Sequence, residues 1–423
     1  MDDAARDFRP QPSDSRGTNG PDTRDPTADD AVDGVMPKRV VQVRSADDVV
    51  KVMRSARAQR DPLIVRGGGT RLSIGNPPRA LGSLVAMDAM DRILSYSPED
   101  MVVTVEAGIT LTALDRELAG ARQRVALEAP DPQMSTIGGL AAANFNSGIA
   151  YGLGYPRDQI LGMTVVDGIG RVLRAGGRVV KNVAGYDMPR LFVGSFGTLA
   201  VITDVTLRTQ PRPDALEGME IDFMDEVSME TARQRLFGSR LPLRSLDIDG
   251  YLDCGRARWR MRVTAEGATN QVEYVRNTVT ALVGKETRVV DPTRRSARTD
   301  SVTNFVARFA SAPSSAIREA YRLLITAQPI VGRARVVLEC GGAVLRLLAE
   351  CRSDVELATL VAACQERCSA GAGSLLFERV PSGYKPRIDV WHGPIRGLSL
   401  MRRLKEKFDP DAVLAPGRFV GGL

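Results

Sequence analysis

The chain has 423 residues, 43 % of them hydrophobic and 26 % charged, with a formal net charge of +6. That length supports two or three domains, and the composition excludes a disordered, collagenous or disulfide-stapled chain. The charge is uneven: residues 1–36 hold nine Asp and four Arg, a net of −5, so the remainder carries +11. Such a folded part favours an anionic small molecule, an anionic lipid or an acidic partner. Aromatic residues, at 5 %, are too few for a base-stacking surface, so no nucleic acid is expected.

A single histidine, His392, rules out HExxH zinc enzymes and multi-histidine metal sites. Five cysteines without a CxxC spacing point to a reducing compartment and away from an iron–sulfur site of the chain's own. No metal is expected. No run of 18 apolar residues predicts a membrane span, and no basic start with an apolar core predicts a secretory signal. The expected location is the cytoplasm, or the inner face of the cell membrane held there through partners.

Residues 1–36 are rich in Asp, Pro, Ser, Thr and Gly, with Phe8 the one aromatic, and are predicted to be a disordered acidic tail. A strand is expected over 40–43. Ser45, with an acid three residues on at Asp48, predicts a capped helix over 48–60. Residues 63–70 read as a strand running into a glycine loop, 84–88 and 101–108 as strands, and 110–119 as a helix. Residues 160–177 read as a hairpin around Gly168 and Gly170. Residues 198–209 alternate as a strand with Val201, Thr203, Val205 and Leu207 on one face. Pro211 and Pro213 then mark a boundary.

Beyond 214 the order of elements is βαββαβ, an α+β signature. Residues 396–408 read as a last helix and 412–423 as a terminal strand or loop. No internal repeat of 20–50 residues is visible.

Three segments carry chemistry. Arg66, Gly67, Gly68, Gly69 and Thr70 follow a strand. Their glycines let successive backbone N–H groups approach a diphosphate, although a plain tight turn needs the same residues. The loop is neither a Walker loop nor a dinucleotide fingerprint, since Leu72 stands where the latter needs a glycine. The second segment holds Ser135, Thr136, Gly138 and Gly139, then Asn144, Ser147 and Gly148. Thr136 fits a helix cap, and small residues allow a flat ring to lie on backbone, or one helix to pack tightly. In the third, Lys181, Tyr186 and Arg190 precede the 194–198 glycine-rich turn. They offer donors to an anion or sit as surface charges.

These segments, in this order, resemble the vanillyl-alcohol-oxidase, or PCMH-type, FAD-binding family. RGGGT resembles its pyrophosphate loop, STIGG its second flavin loop, GSFGTLAVIT its flavin-side strand, and DPDAVLAPGRF its closing segment. KNVAGYDMPRLFVGSFGTLAVIT, with RDQILGMTVVDGIGRVLRAGG before it, resembles the E-type FAD subunit of glycolate oxidase. The resemblance implies a two-subdomain PCMH-type FAD domain over 37–213 and an α+β, ferredoxin-like cap over 214–395. A segment over 396–423 would return to the FAD domain. It implies FAD held by the residues named above together with Gly197 and Ile202.

It also implies a larger FAD subunit and an iron–sulfur subunit as partners. The substrate would be a 2-hydroxyacid, with electrons leaving through FAD. Lys181, Tyr186 and His392 are the catalytic candidates. With no His or Cys near 66–71 or 130–148, the FAD is expected to be non-covalent. Two other readings stay open: a self-sufficient FAD-dependent 2-hydroxyacid or alcohol dehydrogenase, and a cofactor-free interaction protein on the same fold.

Overall fold

The computed structural model describes residues 20–145, 147–177, 187–292, 303–341 and 343–423. They fall into two compact units. The first takes the described residues of Met1–Phe145, Tyr155–Arg212 and Ile395–Leu423, the second those of Asn146–Gly154 and Pro213–Pro394.

The first unit begins with β1 (Asp22–Arg24), β2 (Arg39–Gln42), α1 (Ala46–Gln59), β3 (Leu63–Arg66) and β4 (Ser83–Ala86). These strands form one sheet in the order β1-β2-β4-β3. Helix α1 starts where Ser45 Oγ accepts the Asp48 N–H, and it ends at Arg60 in the left-handed conformation. Its Val49, Val52, Met53 and Ala56 recur at helical spacing and are buried.

A second, antiparallel sheet follows from β5 (Ile93–Ser97), β6 (Val102–Glu106), β7 (Gln123–Val125), β8 (Ile160–Asp167), β9 (Val172–Gly176) and β10 (Ala200–Pro211). Its order is β5-β6-β10-β8-β9, with β7 pairing the far end of β10. Three helices interrupt it: α2 (Leu111–Leu118), α3 (Ile137–Ala143) and the one-turn α5 (Pro156–Gln159), while α4 (Ala150–Leu153) belongs to the second unit. A further turn, α6 (Pro189–Phe192), precedes β10. The buried face of α1 shares one core with Val41, Leu63 and Val85 of the first sheet and Val166 and Val201 of the second. The helix is therefore the filling between two sheets.

The predicted acidic tail is corrected over 20–36. Strand β1 pairs with β2, and Val32 is buried with Val40, Ile64 and Leu84. Asp30, 2 % exposed, lies between the guanidinium groups of Arg24 and Arg66. The scarcity of apolar residues in this stretch hid its order, which rests on paired charge and on Val32 and Val35. Residues 1–19 lie outside the described residues.

The second unit contains β11 (Ala215–Phe223), α7 (Glu226–Ser239), β12 (Leu243–Asp253), β13 (Arg256–Gly267), α8 (Thr269–Val283) and β14 (Arg288–Val290). This is the expected βαββαβ order. The same order then returns in β15 (Phe305–Ala310), α9 (Ala316–Val331), β16 (Ala334–Glu339), β17 (Val344–Ala349), α10 (Asp354–Arg367) and β18 (Leu375–Arg379). One nine-stranded sheet results, ordered β14-β11-β13-β12-β16-β17-β15-β18-β19, with β19 (Trp391–His392) at its edge.

The two halves read 4-1-3-2 and then 2-3-1-4. They meet where β12 pairs antiparallel with β16, Ile248 opposite Leu338. The unit is thus two ferredoxin-like halves joined edge to edge. The repeat lies in element order rather than residue identity, and its length exceeds a 20–50-residue period. The chain closes with α11 (Leu398–Phe408), back in the first unit.

Candidate cofactor site

The glycine loop leaves β3 at Arg66 and faces the start of α3. A Cβ on Gly67 would come within 2.1 Å of Thr136 Oγ1, and one on Gly68 within 1.6 Å of the Met134 carbonyl oxygen. Gly69 has φ +76° with nothing crowding it. The three glycines therefore answer different demands. Two allow the loops to touch, and the third allows the turn.

Across this contact Thr70 Oγ1 lies 3.3 Å from Ser135 Oγ. Thr136 caps α3 as expected, its Oγ1 accepting the Gly139 N–H at 3.2 Å. Gly138 packs on Ala107, donating its N–H to that residue's carbonyl at 2.8 Å, and a Cβ there would meet Ala107 Cβ at 2.6 Å.

The third wall is the turn before β10. The Gly194 and Phe196 N–H groups donate to the carbonyls of Ala141 and Ala142, at 3.0 and 2.9 Å. Phe196 (φ 54°) and Gly197 (φ +70°) both lie in the left-handed region, which brings the turn under the end of α3. Asn144 ends α3 in the same conformation. Its Oδ1 is buried and has no hydrogen-bond partner among the described residues.

These walls line one cleft that opens to solvent. Gly67, Gly68, Gly69 and Thr70 form one rim, and Thr136, Gly138 and Gly139 the second. Gly197 and Ile202 form the third, with Val65, Met87 and Ala107 among the apolar lining residues. Arg66 and Arg71 are the only charged residues among the described lining, and the Arg71 guanidinium stacks 3.8 Å above the Phe145 ring. Backbone donors and two cations at one end, with small residues and apolar side chains elsewhere, suit an anion joined to a flat ring.

Three further sequence candidates, Ser147, Gly148 and His392, belong to the second unit. Ser147 is buried in the second unit. Gly148, in the same unit, packs on β12, where a Cβ would come within 2.4 Å of Asp247 Oδ2. His392 lies half-buried on β19, paired with Leu375. Lys181 and Tyr186 lie outside the described residues.

Two supports escaped the sequence reading. Lys405 of α11 is buried and donates to the Thr198 carbonyl at 2.8 Å, the Leu414 carbonyl at 2.8 Å and Asp409 Oδ2 at 2.6 Å. Burial pulls its amine below the ordinary lysine range while Asp409 opposes that shift. Arg418 donates to the carbonyls of Leu72 at 2.6 Å, Ile74 at 2.9 Å and Asn76 at 3.2 Å, and pairs with Asp33 at 3.0 Å. The only sequence signal for Lys405 was its i,i+4 spacing from Asp409. Arg418 had no local signal, because its partners all lie far away in the sequence.

Residues 37–176 match the FAD binding domain family. The chain is 35 % identical over 184 residues to glycolate oxidase subunit GlcD of Bacillus subtilis, covering 42 % of this chain and 38 % of that one. It is 30 % identical over 229 residues to glycolate oxidase subunit GlcE of Escherichia coli, covering 54 % and 62 %. These matches span less than two thirds of either relative. In three dimensions the chain is similar to p-cresol methylhydroxylase, with TM-score 0.68, 16 % identity, and coverage of 90 % of this chain and 88 % of that one.

The fold is therefore that of the PCMH-type FAD-binding proteins, and residues 37–176 carry an FAD-binding domain whose cofactor is FAD. Among the described residues no helix is long and apolar enough to cross a membrane.

Proposed function

We propose that the chain is an FAD-dependent oxidoreductase acting on CH–OH donors, as the FAD subunit of a glycolate-oxidase-like complex. In this reading electrons leave a 2-hydroxyacid, pass through FAD and reach a partner iron–sulfur subunit, beside a larger FAD subunit. The similarity to two glycolate oxidase subunits supports the complex.

The observation that carries the relay role is the chemistry of the cleft. None of its described lining residues is a His, Asp, Glu, Lys, Tyr or Cys. Bound FAD supplies a hydride acceptor. Oxidising an alcohol also needs a group to take the hydroxyl proton, and the described lining offers none. A subunit that passes electrons onward needs no such base of its own.

Each wall of the cleft has its own part in holding the cofactor. Residues 67–70 offer backbone N–H groups to the diphosphate, with the Arg66 and Arg71 charges beside them. Thr136 fixes the start of α3 so that Gly138 and Gly139 present bare backbone to a ring. Gly197 and Ile202 line the opposite side. With no cysteine or histidine in the described lining, the cofactor is held without a covalent bond. His392, Lys181 and Tyr186 are the side chains proposed for proton handling, should substrate react on this subunit.

The test is anaerobic addition of glycolate and D-lactate to the purified yellow protein. Flavin bands that persist until partner subunits are added support the relay. Bands that bleach with substrate alone establish a self-sufficient dehydrogenase instead.

A further inference from the structure

The acidic segment before β2 grips both ends of the glycine loop. At the loop's entrance Asp30 Oδ1 accepts from Arg66 Nη1 at 2.7 Å and from Arg24 Nη2 at 2.9 Å. At its exit Asp33 pairs with Arg418, whose guanidinium gathers the carbonyls of Leu72, Ile74 and Asn76. Both aspartates are almost fully buried, with side chains 2 % and 4 % exposed. Between them Val32 is buried in a core with Ile64 and Leu84, against which Leu72 of the loop itself packs. The segment is thus anchored by a strand, an apolar residue and two charges, and each charge ends on one side of the loop.

We propose that residues 20–36 form a strap that sets FAD affinity, with Asp30 and Asp33 acting as positioning residues through Arg66 and Arg418. Arg66 lines the cleft and is the cation nearest the loop's entrance. Asp30 with Arg24 and Arg66 sums to +1, so the aspartate orients the guanidinium without cancelling the local positive charge. A long side chain held by a fixed carboxylate loses less freedom when an anion arrives, which is how preorganisation raises affinity. Arg418 acts differently. It gathers the carbonyls of Leu72, Ile74 and Asn76, which holds the exit of the loop in one conformation. The proposal rests on the FAD cleft and is independent of the substrate and of the electron acceptor.

The experiment is a double-mutant cycle read by FAD titration of the full-length apoprotein, using flavin fluorescence quenching. Asp30→Asn and Arg66→Met are each expected to raise the FAD dissociation constant tenfold or more. The double variant should be no weaker than the weaker single one, because Asp30 works only through Arg66. Asp30→Glu should recover most of the loss. Multiplying effects in the double variant, or a change under twofold in Asp30→Asn with unaltered apoprotein melting, overturns the proposal. Should Asp30→Asn fail to fold, Asp33→Asn paired with Arg418→Lys carries the same cycle with the same criteria. Wild-type apoprotein that takes up no FAD would instead overturn the cofactor assignment, so the two failures are distinguishable.

Discussion

Lys405 Nζ lies 2.6 Å from Asp409 Oδ2, one turn further along the chain, and the pair is buried with its remaining bonds filled by backbone. Asp409 also accepts the N–H groups of Val413 and Leu414, at 3.1 and 2.8 Å. One side-chain pair therefore ties α11 to the closing segment and to the turn that carries Gly197. Removing a single partner from such a pair leaves an uncompensated buried charge, at a cost of about 3–5 kcal/mol. Lys405→Met is expected to lose that much stability in urea unfolding of the holoprotein. It should also release FAD more readily, since the Thr198 carbonyl loses its donor.

The glycines of the loop separate by mechanism. Gly68→Ala places a carbon 1.6 Å from the Met134 carbonyl oxygen, so one of two backbones must move. Gly69→Ala meets only a conformational penalty of about 1–2 kcal/mol. The flavin-to-protein ratio of purified Gly68→Ala should fall several-fold, while that of Gly69→Ala stays near the wild-type value.

The strap has a pH signature. Hydrogen bonds from Arg24, chiefly, hold the Asp30 carboxyl far below the ordinary aspartate range, with help from Thr27 and Arg66. A carboxyl depressed in the folded state contributes stability above its unfolded pKa of about 3.9, and loses it as pH falls toward the folded value. Stability of the wild type should therefore drop below about pH 4 more steeply than that of Asp30→Asn. Parallel urea midpoints for the two proteins between about pH 5 and pH 3 would contradict this.

Non-covalent attachment predicts that acid precipitation leaves all of the flavin in the supernatant. A yellow pellet would mean a covalent link to a residue outside the described cleft lining.

The catalytic candidates divide in the same way. Lys181→Met, Tyr186→Phe and His392→Gln should leave flavin content unchanged. If substrate is oxidised on this subunit, at least one of them should slow flavin reduction about tenfold or more in stopped-flow traces.

Much of the cofactor unit was legible because its signals are local. Ser45 and Thr136 each announce a helix by capping it, and both do so in the structure. The alternation of Val201, Val205 and Leu207 marks β10, and the glycines mark the loop that lines the cleft. What stayed hidden depends on distant partners. Asp30 reads as part of a polar tail until β2 and Arg66 are beside it, and Arg418 has meaning only next to Leu72 and Asp33. The doubling of the βαββαβ unit was invisible because two halves can share element order without sharing residues. At Gly148, read with the flavin loop, a Cβ would meet Asp247 within the same unit, a contact with no local signal.

The most direct test of the central claim is the visible spectrum of the purified chain, before and after anaerobic glycolate or D-lactate. The flavin spectrum should persist with substrate alone and bleach when the iron–sulfur and larger FAD subunits are present. A colourless protein that takes up no added FAD would contradict it.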